Sequence, residues 1–165
     1  MPRGFDDLIA ANRVFAGEFD FGGFDGVAHA GVAIVTCMDS RIVPLVMLGL
    51  QPGDAKILRN PGGRVTTAAL EALVLGVHLL GVERILVIPH TRCAVALNSE
   101  GELQRLVSES AGKDATGQAF PVVADQLASL EEDVVKVRSH PLIPESVAVG
   151  GFMYDVDTGL IDQRF

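Results

Sequence analysis

Long apolar runs are missing from this sequence. The most apolar stretch, Ala72 to Leu80, is about nine residues, far short of the ~20 that a membrane-spanning helix needs. The N-terminus lacks the continuous apolar segment of a secretory signal, because Asp6, Asp7, Asn12 and Arg13 interrupt it. Cysteine is scarce, at two in 165 residues. That argues against a disulfide framework and suits a reducing compartment, so a cytoplasmic chain with no membrane partner is expected. Positive charge is short as well. Thirteen Lys and Arg against 21 Asp and Glu give a formal net charge of −8, and the pI is about 4.8. With no basic stripe, a phosphate backbone would be repelled, and no nucleic-acid partner is expected. Three motifs are also missing. There is no G-x-S-x-G elbow of a serine hydrolase. There is no Walker lysine and no G-x-G-x-x-G, so Gly62-Gly63 reads as a tight turn rather than a phosphate cradle.

What is present is apolar and patterned. Hydrophobic residues make up 48% of the chain and the mean hydropathy is positive, which is high for a small soluble monomer. Five of the eight Phe lie at positions 5, 15, 19, 21 and 24. Such an arm either folds back on its own core or packs on another subunit. The length suits a single domain over residues 1–165, with an N-terminal arm at 1–29 and a core at 30–165. Short β-branched runs at 31–36, 55–58, 84–88 and 146–149 read as strands. The spacing of Leu70, Leu73, Val74, Val77 and Leu80 predicts a helix over 67–80, capped by Thr66 or Thr67 and ended by Gly81. Its apolar character on most sides predicts burial. A second helical pattern runs over 121–138, with Val123, Leu127, Leu130 and Val134 on one face, and residues 5–19 can form an N-terminal helix. Residues 98–119 are expected to hold a short helix at most. Residues 154–160 read as a hairpin turn with Gly159 at positive φ. Strands apolar on both faces and alternating with helices predict an α/β fold, a mostly parallel central sheet flanked by helices.

Three chemically capable side chains fall at strand ends. Cys37 follows the first strand, His90 follows the third, and Cys93 comes three residues later. In open α/β sheets ligands bind beyond the carboxyl ends of strands, where strand order reverses. Two thiolates and an imidazole suit Zn²⁺, and three protein ligands leave a fourth tetrahedral position open, as at a catalytic site. Read singly, each residue has a plainer account. A lone Cys after a strand is usually a small buried hydrophobe, a lone His a hydrogen-bonded one, and two Cys can form a redox pair. Asp39 and Arg41 sharpen the choice. A carboxylate two residues from a metal ligand can accept a hydrogen bond from bound water, and an arginine beside it can hold its rotamer. Their plainer readings are a helix cap and a surface charge.

Cys37-Met38-Asp39-Ser40-Arg41, Pro52-Gly53-Asp54, Arg59-Asn60-Pro61-Gly62-Gly63, His90-Thr91-Arg92-Cys93 and Gly151-Phe152-Met153-Tyr154-Asp155 together resemble the β-class carbonic anhydrases, most closely the short bacterial type. The resemblance covers residues 30–160. It implies one zinc per chain held by Cys37, His90 and Cys93, an Asp39–Arg41 dyad beside it, and an N-terminal arm exchanged across a homodimer. It also implies reversible hydration of carbon dioxide to bicarbonate by zinc-activated water. Two thiolates cancel the metal's charge, so that water should be less acidic than at a three-histidine site and activity should rise towards alkaline pH. The family usually has Gly where this chain has Ala94 and Ala where it has Pro61. Arg92 stands where a small or acidic residue is common, and would place a cation at the zinc mouth or point to solvent. These departures keep three alternatives in view. They are a hydrolase of carbonyl sulfide or carbon disulfide on the same site, a non-catalytic zinc protein, and a dithiol redox protein using Cys37 and Cys93. Among the remaining histidines, His29 is the candidate proton shuttle.

Overall fold

The computed structural model describes residues 4–165; residues 1–3 of the expected arm lie outside the described residues. Five strands form one sheet: β1 (Val32–Cys37), β2 (Ala55–Asn60), β3 (Arg84–Ile88), β4 (Ala148–Tyr154) and β5 (Ile161–Gln163). Their order is β2-β1-β3-β4-β5. The first four run parallel, and β5 returns antiparallel to β4. The helices are α1 (Asp6–Gly17), α2 (Pro44–Met47), α3 (Thr67–Leu79), α4 (Ala94–Leu97), α5 (Glu100–Ala111) and α6 (Gln126–Arg138).

Every residue of β1 is buried, as a central parallel strand requires. Ala33, Val35, Ile85, Val87 and Val149 pack with Leu73 of α3 and with Leu130, Val134 and Val137 of α6. Val32, Ile34 and Ile88 join a second cluster with Ile42, Cys37, Cys93 and Tyr154. The metal-ligating candidates therefore sit inside one of the two cores. Thr36, fully buried between β1 and β3, donates its hydroxyl to the Ile88 carbonyl at 2.6 Å, which satisfies it across the junction.

Several boundaries differ from the sequence reading. β4 runs on to Tyr154 through Gly150-Gly151, a pair that breaks the β-branched pattern. A Cβ on Gly151 would lie 2.9 Å from Val134 Cγ2 and 3.1 Å from Leu130 Cγ, so glycine admits α6 to the sheet. α6 begins at Gln126, where the Asp125 carboxylate accepts from the Leu127 and Ala128 N–H groups. Val123 is buried from the extended segment before it, and Leu127 is exposed. Residues 98–119 hold a three-turn helix, α5, rather than a short one. Ser99 caps it by accepting from Glu102 N–H, and Gly112 ends it at φ +63°. α3 is capped by Thr66 as expected, but it buries one face only: Ala69, Leu73 and Gly76 are enclosed, whereas Leu75 and Leu79 are exposed. The helix of the arm does not bury itself on the core, although Ala28 at the arm's end joins it. No residue of α1 is buried, and Phe15, Phe19, Phe21 and Phe24 follow one another with ring centroids 5.4–5.5 Å apart, the first pair tilted and the next two edge-on.

Candidate metal centre

The chain leaves β1 towards β2 on one side and reaches β3 on the other, so strand order reverses between β1 and β3. Their register pairs Thr36 with Ile88. Cys37 at the end of β1 and the Pro89–Cys93 segment after β3 therefore open onto the same crevice, as topology dictates for open α/β sheets.

There the three predicted ligands meet. Cys37 Sγ lies 3.9 Å from Cys93 Sγ. One ligand atom from each of Cys37, His90 and Cys93 falls within 4.8 Å of the others, and all three residues are buried. Tetrahedral coordination with Zn–S bonds of about 2.3 Å separates two sulfurs by about 3.8 Å, so the observed spacing suits one shared ion. His90 adds the second test. Its Nδ1 lies 2.8 Å from the Thr91 carbonyl, which accepts the ring proton and leaves the Nε2 lone pair free. Nε2 is buried and has no hydrogen-bond partner. An orphaned buried acceptor costs about 1–3 kcal/mol, and a cation between the two sulfurs and Nε2 would remove that cost.

The thiols are unlike each other. The Cys93 thiol, donating to Cys37, lowers the Cys37 pKa most. Burial opposes this, and the backbone N–H groups of Asp39 and Gly62 add to the lowering. The Gly62 N–H stands 3.4 Å from Cys37 Sγ. Cys93, donating to the Cys37 sulfur and buried, is pushed up. The pair thus gives up one proton readily and holds the other between the sulfurs, a place a divalent cation can take.

Asp39 borders this pocket. Arg41 grips it with a fork: Nε donates to Oδ1 at 2.9 Å and Nη2 to Oδ2 at 2.7 Å, and the Arg41 backbone N–H also donates to Oδ1 at 2.9 Å. The guanidinium hydrogen bond holds the Asp39 carboxyl well below the usual carboxylate range. Asp39 Oδ2 lies 3.8 Å from His90 Nε2, too far for a hydrogen bond.

The backbone around these groups is clamped by residues to which the sequence reading gave no role. Arg59 donates from Nε to the Cys37 carbonyl at 2.9 Å and from Nη2 to the Asp39 carbonyl at 2.6 Å. Gln126 Nε2 donates to the His90 carbonyl at 2.8 Å. Arg59 lies in the Arg59-Asn60-Pro61-Gly62-Gly63 motif; Gln126, 36 residues from His90, carries no local signal. Gly63 is forced: at φ +67°, its Cβ would lie 2.9 Å from the Cys37 amide nitrogen. Gly62-Gly63 is thus the tight turn expected beside the site.

The departures from the family pattern find physical accounts. Ala94 opens α4 and is exposed, so its backbone makes no demand for glycine. Pro61 takes the first position of the 3₁₀ turn Pro61–Gly63, where its fixed φ is suited. The Arg92 guanidinium pairs with Asp157 at 2.8 Å. His29 sits before β1, at the opposite end of the strand from Cys37, and pairs with Asp25 at 3.0 Å. A proton shuttle from His29 to the site within one chain would have to cross about 20 Å of strand.

Fold and site together define an α/β protein with a three-donor pocket at its switch point that could hold a metal ion. The profile of the carbonic anhydrase family matches residues 32–161, and the chain belongs to that family, in its β class. It is similar to β-carbonic anhydrase 1 of Mycobacterium tuberculosis, at 28% identity over 160 residues covering 96% of each chain. It is similar to the carbon disulfide hydrolase of Acidianus sp., at 31% identity covering 76% of this chain and 72% of that one. Among solved structures, a carbonic anhydrase from Streptococcus mutans superposes with a TM-score of 0.85 at 36% identity, covering 99% of both chains.

Proposed function

We propose that this protein hydrates carbon dioxide reversibly to bicarbonate, with one zinc ion held by Cys37, His90 and Cys93. The observation that carries the reading is the convergence of two sulfurs and an orphaned imidazole nitrogen in a buried pocket bordered by Asp39. Zinc bound there supplies a Lewis acid that lowers the pKa of water in its open position. The chain's own groups do the rest. The His90 Nδ1–H donated to Thr91 fixes the tautomer that offers Nε2. Asp39, kept ionised by Arg41, accepts a hydrogen bond from the attacking water and turns its lone pair towards the substrate carbon. Both Asp39 oxygens are engaged by Arg41, and Oδ2 stands 3.8 Å from His90 Nε2, so the carboxylate is held beside the donor set rather than within it.

Carbon dioxide is favoured over carbon disulfide by the similarity to the Streptococcus mutans carbonic anhydrase, 36% identical over 99% of both chains, against 31% over 76% of this chain for the carbon disulfide hydrolase. The reading extends to assembly and place. The exposed Phe5, Leu8, Phe15 and Phe19 of the arm suit packing on a second copy, so a homodimer or a larger homo-oligomer built on it is proposed. The two free buried cysteines suit a reducing, cytoplasmic compartment. Among the described residues, no helix is long and apolar enough to cross a membrane.

Stopped-flow assays of the zinc-loaded protein on carbon dioxide, carbonyl sulfide and carbon disulfide, side by side, test the reading. Carbon dioxide hydration far above background supports it. Turnover of a sulfur compound alone, or of none, overturns it.

A further inference from the structure

Arg92 is the one residue other than glycine at positive φ (+55°) among the described residues. That region disfavours L side chains, and such a residue persists where its surroundings hold it. Here they do. The preceding Thr91 N–H donates to the Tyr154 carbonyl at 2.9 Å. Its hydroxyl accepts from Val156 N–H at 3.1 Å. Arg92 Nη1 itself donates to Asp157 Oδ1 at 2.8 Å. All three contacts tie the segment between His90 and Cys93 to the end of β4 and the turn that follows it. That turn is held internally: Asp155 Oδ1 accepts from Asp157 N–H at 2.8 Å and from Thr158 N–H at 3.1 Å. The left-handed backbone has a consequence at the site. The Arg92 carbonyl accepts from Arg41 Nη2 at 3.3 Å, the same nitrogen that donates to Asp39 Oδ2 at 2.7 Å.

We propose that Arg92 and Asp157 are positioning residues: their ion pair keeps residue 92 left-handed, the Arg92 carbonyl then anchors the Arg41 guanidinium, and Arg41 presents Asp39 to the pocket. The inference rests on the hydration reading above. Neither side chain touches reacting atoms. Without Asp157, residue 92 is released towards ordinary backbone conformations and its carbonyl turns from Arg41. Arg41 then keeps only its contacts to Asp39, and the two move as an unanchored pair. Arg92 and Asp157 are each 59% exposed, and an exposed pair of this kind supports an effect of about fivefold at most.

The test uses the zinc-loaded protein with D157A, D157E, R92G and the R92G/D157A double variant. Glycine at 92 keeps access to positive φ while removing the ion pair. D157A is expected to lower kcat by about threefold to fivefold with little change in KM for carbon dioxide, and D157E to recover most of it. In the R92G background D157A should add nothing, as a double-mutant cycle requires when one residue acts through the other. A second readout needs no turnover. The Arg41 Nε–H proton, followed by nuclear magnetic resonance and assigned with R41K, should exchange with water several-fold faster in D157A and return towards the original rate in D157E. Unchanged Arg41 Nε–H exchange in D157A overturns the inference, whether activity or melting temperature changes. So does a D157A loss that is the same with and without Arg92. If no hydration is found at all, the functional reading falls, while the exchange measurement still decides this one.

Discussion

Cys37 and Cys93 stand 56 residues apart in sequence, and their sulfurs stand 3.9 Å apart in the fold. Parallel pairing of β1 with β3 creates that proximity. It makes the two thiols a unit: a shared cation shields both, and its removal exposes both. The zinc-loaded protein is therefore expected to react with no more than a trace of a thiol dye under native conditions. Chelated under reducing conditions, it should titrate two thiols per chain. Equal reactivity before and after chelation would remove the shared ion from the account and favour the dithiol redox reading.

Asp39 and Arg41 make a bidentate pair that lysine cannot reproduce. R41K and D39N should each lower kcat/KM for carbon dioxide hydration by about 10–100-fold with zinc content retained. Asp39 has its pKa lowered by Arg41, so it stays ionised throughout pH 6–9 and contributes nothing to a rate change in that range. The rise in activity towards alkaline pH expected of a two-thiolate zinc site should therefore persist in D39N at a lower level. Its disappearance in D39N would assign the alkaline limb to Asp39 itself and contradict this reading.

A second carboxylate serves the fold. Burial by itself would raise the pKa of Asp133, but Arg64, the Val65 N–H and Lys136 outweigh it and the pKa is lowered. Arg64 Nε lies 2.6 Å, Lys136 Nζ 3.0 Å and Val65 N 3.0 Å from its oxygens. A lowered folded-state pKa gives stability that is fully present above the unfolded value of about 3.9 and is lost as pH falls through the folded value. D133N should cost about 2–3 kcal/mol at pH 7, and the gap between the two proteins in urea unfolding should narrow below pH 4. A gap that widens on acidification would reverse the sign and refute the assignment.

Much of this centre could be read from the sequence, for identifiable reasons. Cys37, Asp39 and Arg41 lie within five residues, and His90 and Cys93 within four, so local spacing carries each half of the site. β1 and β3 are legible because buried parallel strands are continuous β-branched runs. Convergence of the halves is a property of strand order, which the resemblance supplied and the sheet now explains. What escaped was either polar or distant. α5 hides in a Ser- and Glu-rich stretch where only the Ser99-x-x-Glu102 cap announces it. Gln126 reaches His90 from a helix start that Asp125 caps, but nothing local in the sequence ties that start to the site. The C-terminal half of β4 is masked by Gly150-Gly151, of which Gly151 is required by the packing of α6.

The arm is legible as apolar but not as partnered. With α1 unburied in the single chain, the double substitution F15S/F19S should shift the protein from dimer to monomer in sedimentation equilibrium while leaving the sheet core folded. A starting protein that sediments as a monomer, or a variant whose mass is unchanged, would separate the arm from assembly.

The central claim is that Cys37, His90 and Cys93 hold one zinc at which carbon dioxide is hydrated. Zinc content and hydration rate, measured together on the purified protein and on Cys93→Ser, test it most directly. The account predicts about one zinc per chain with rapid hydration, and loss of both in the variant. A protein that folds without zinc and hydrates carbon dioxide no faster than buffer, or a Cys93→Ser variant that keeps both metal and rate, would contradict it.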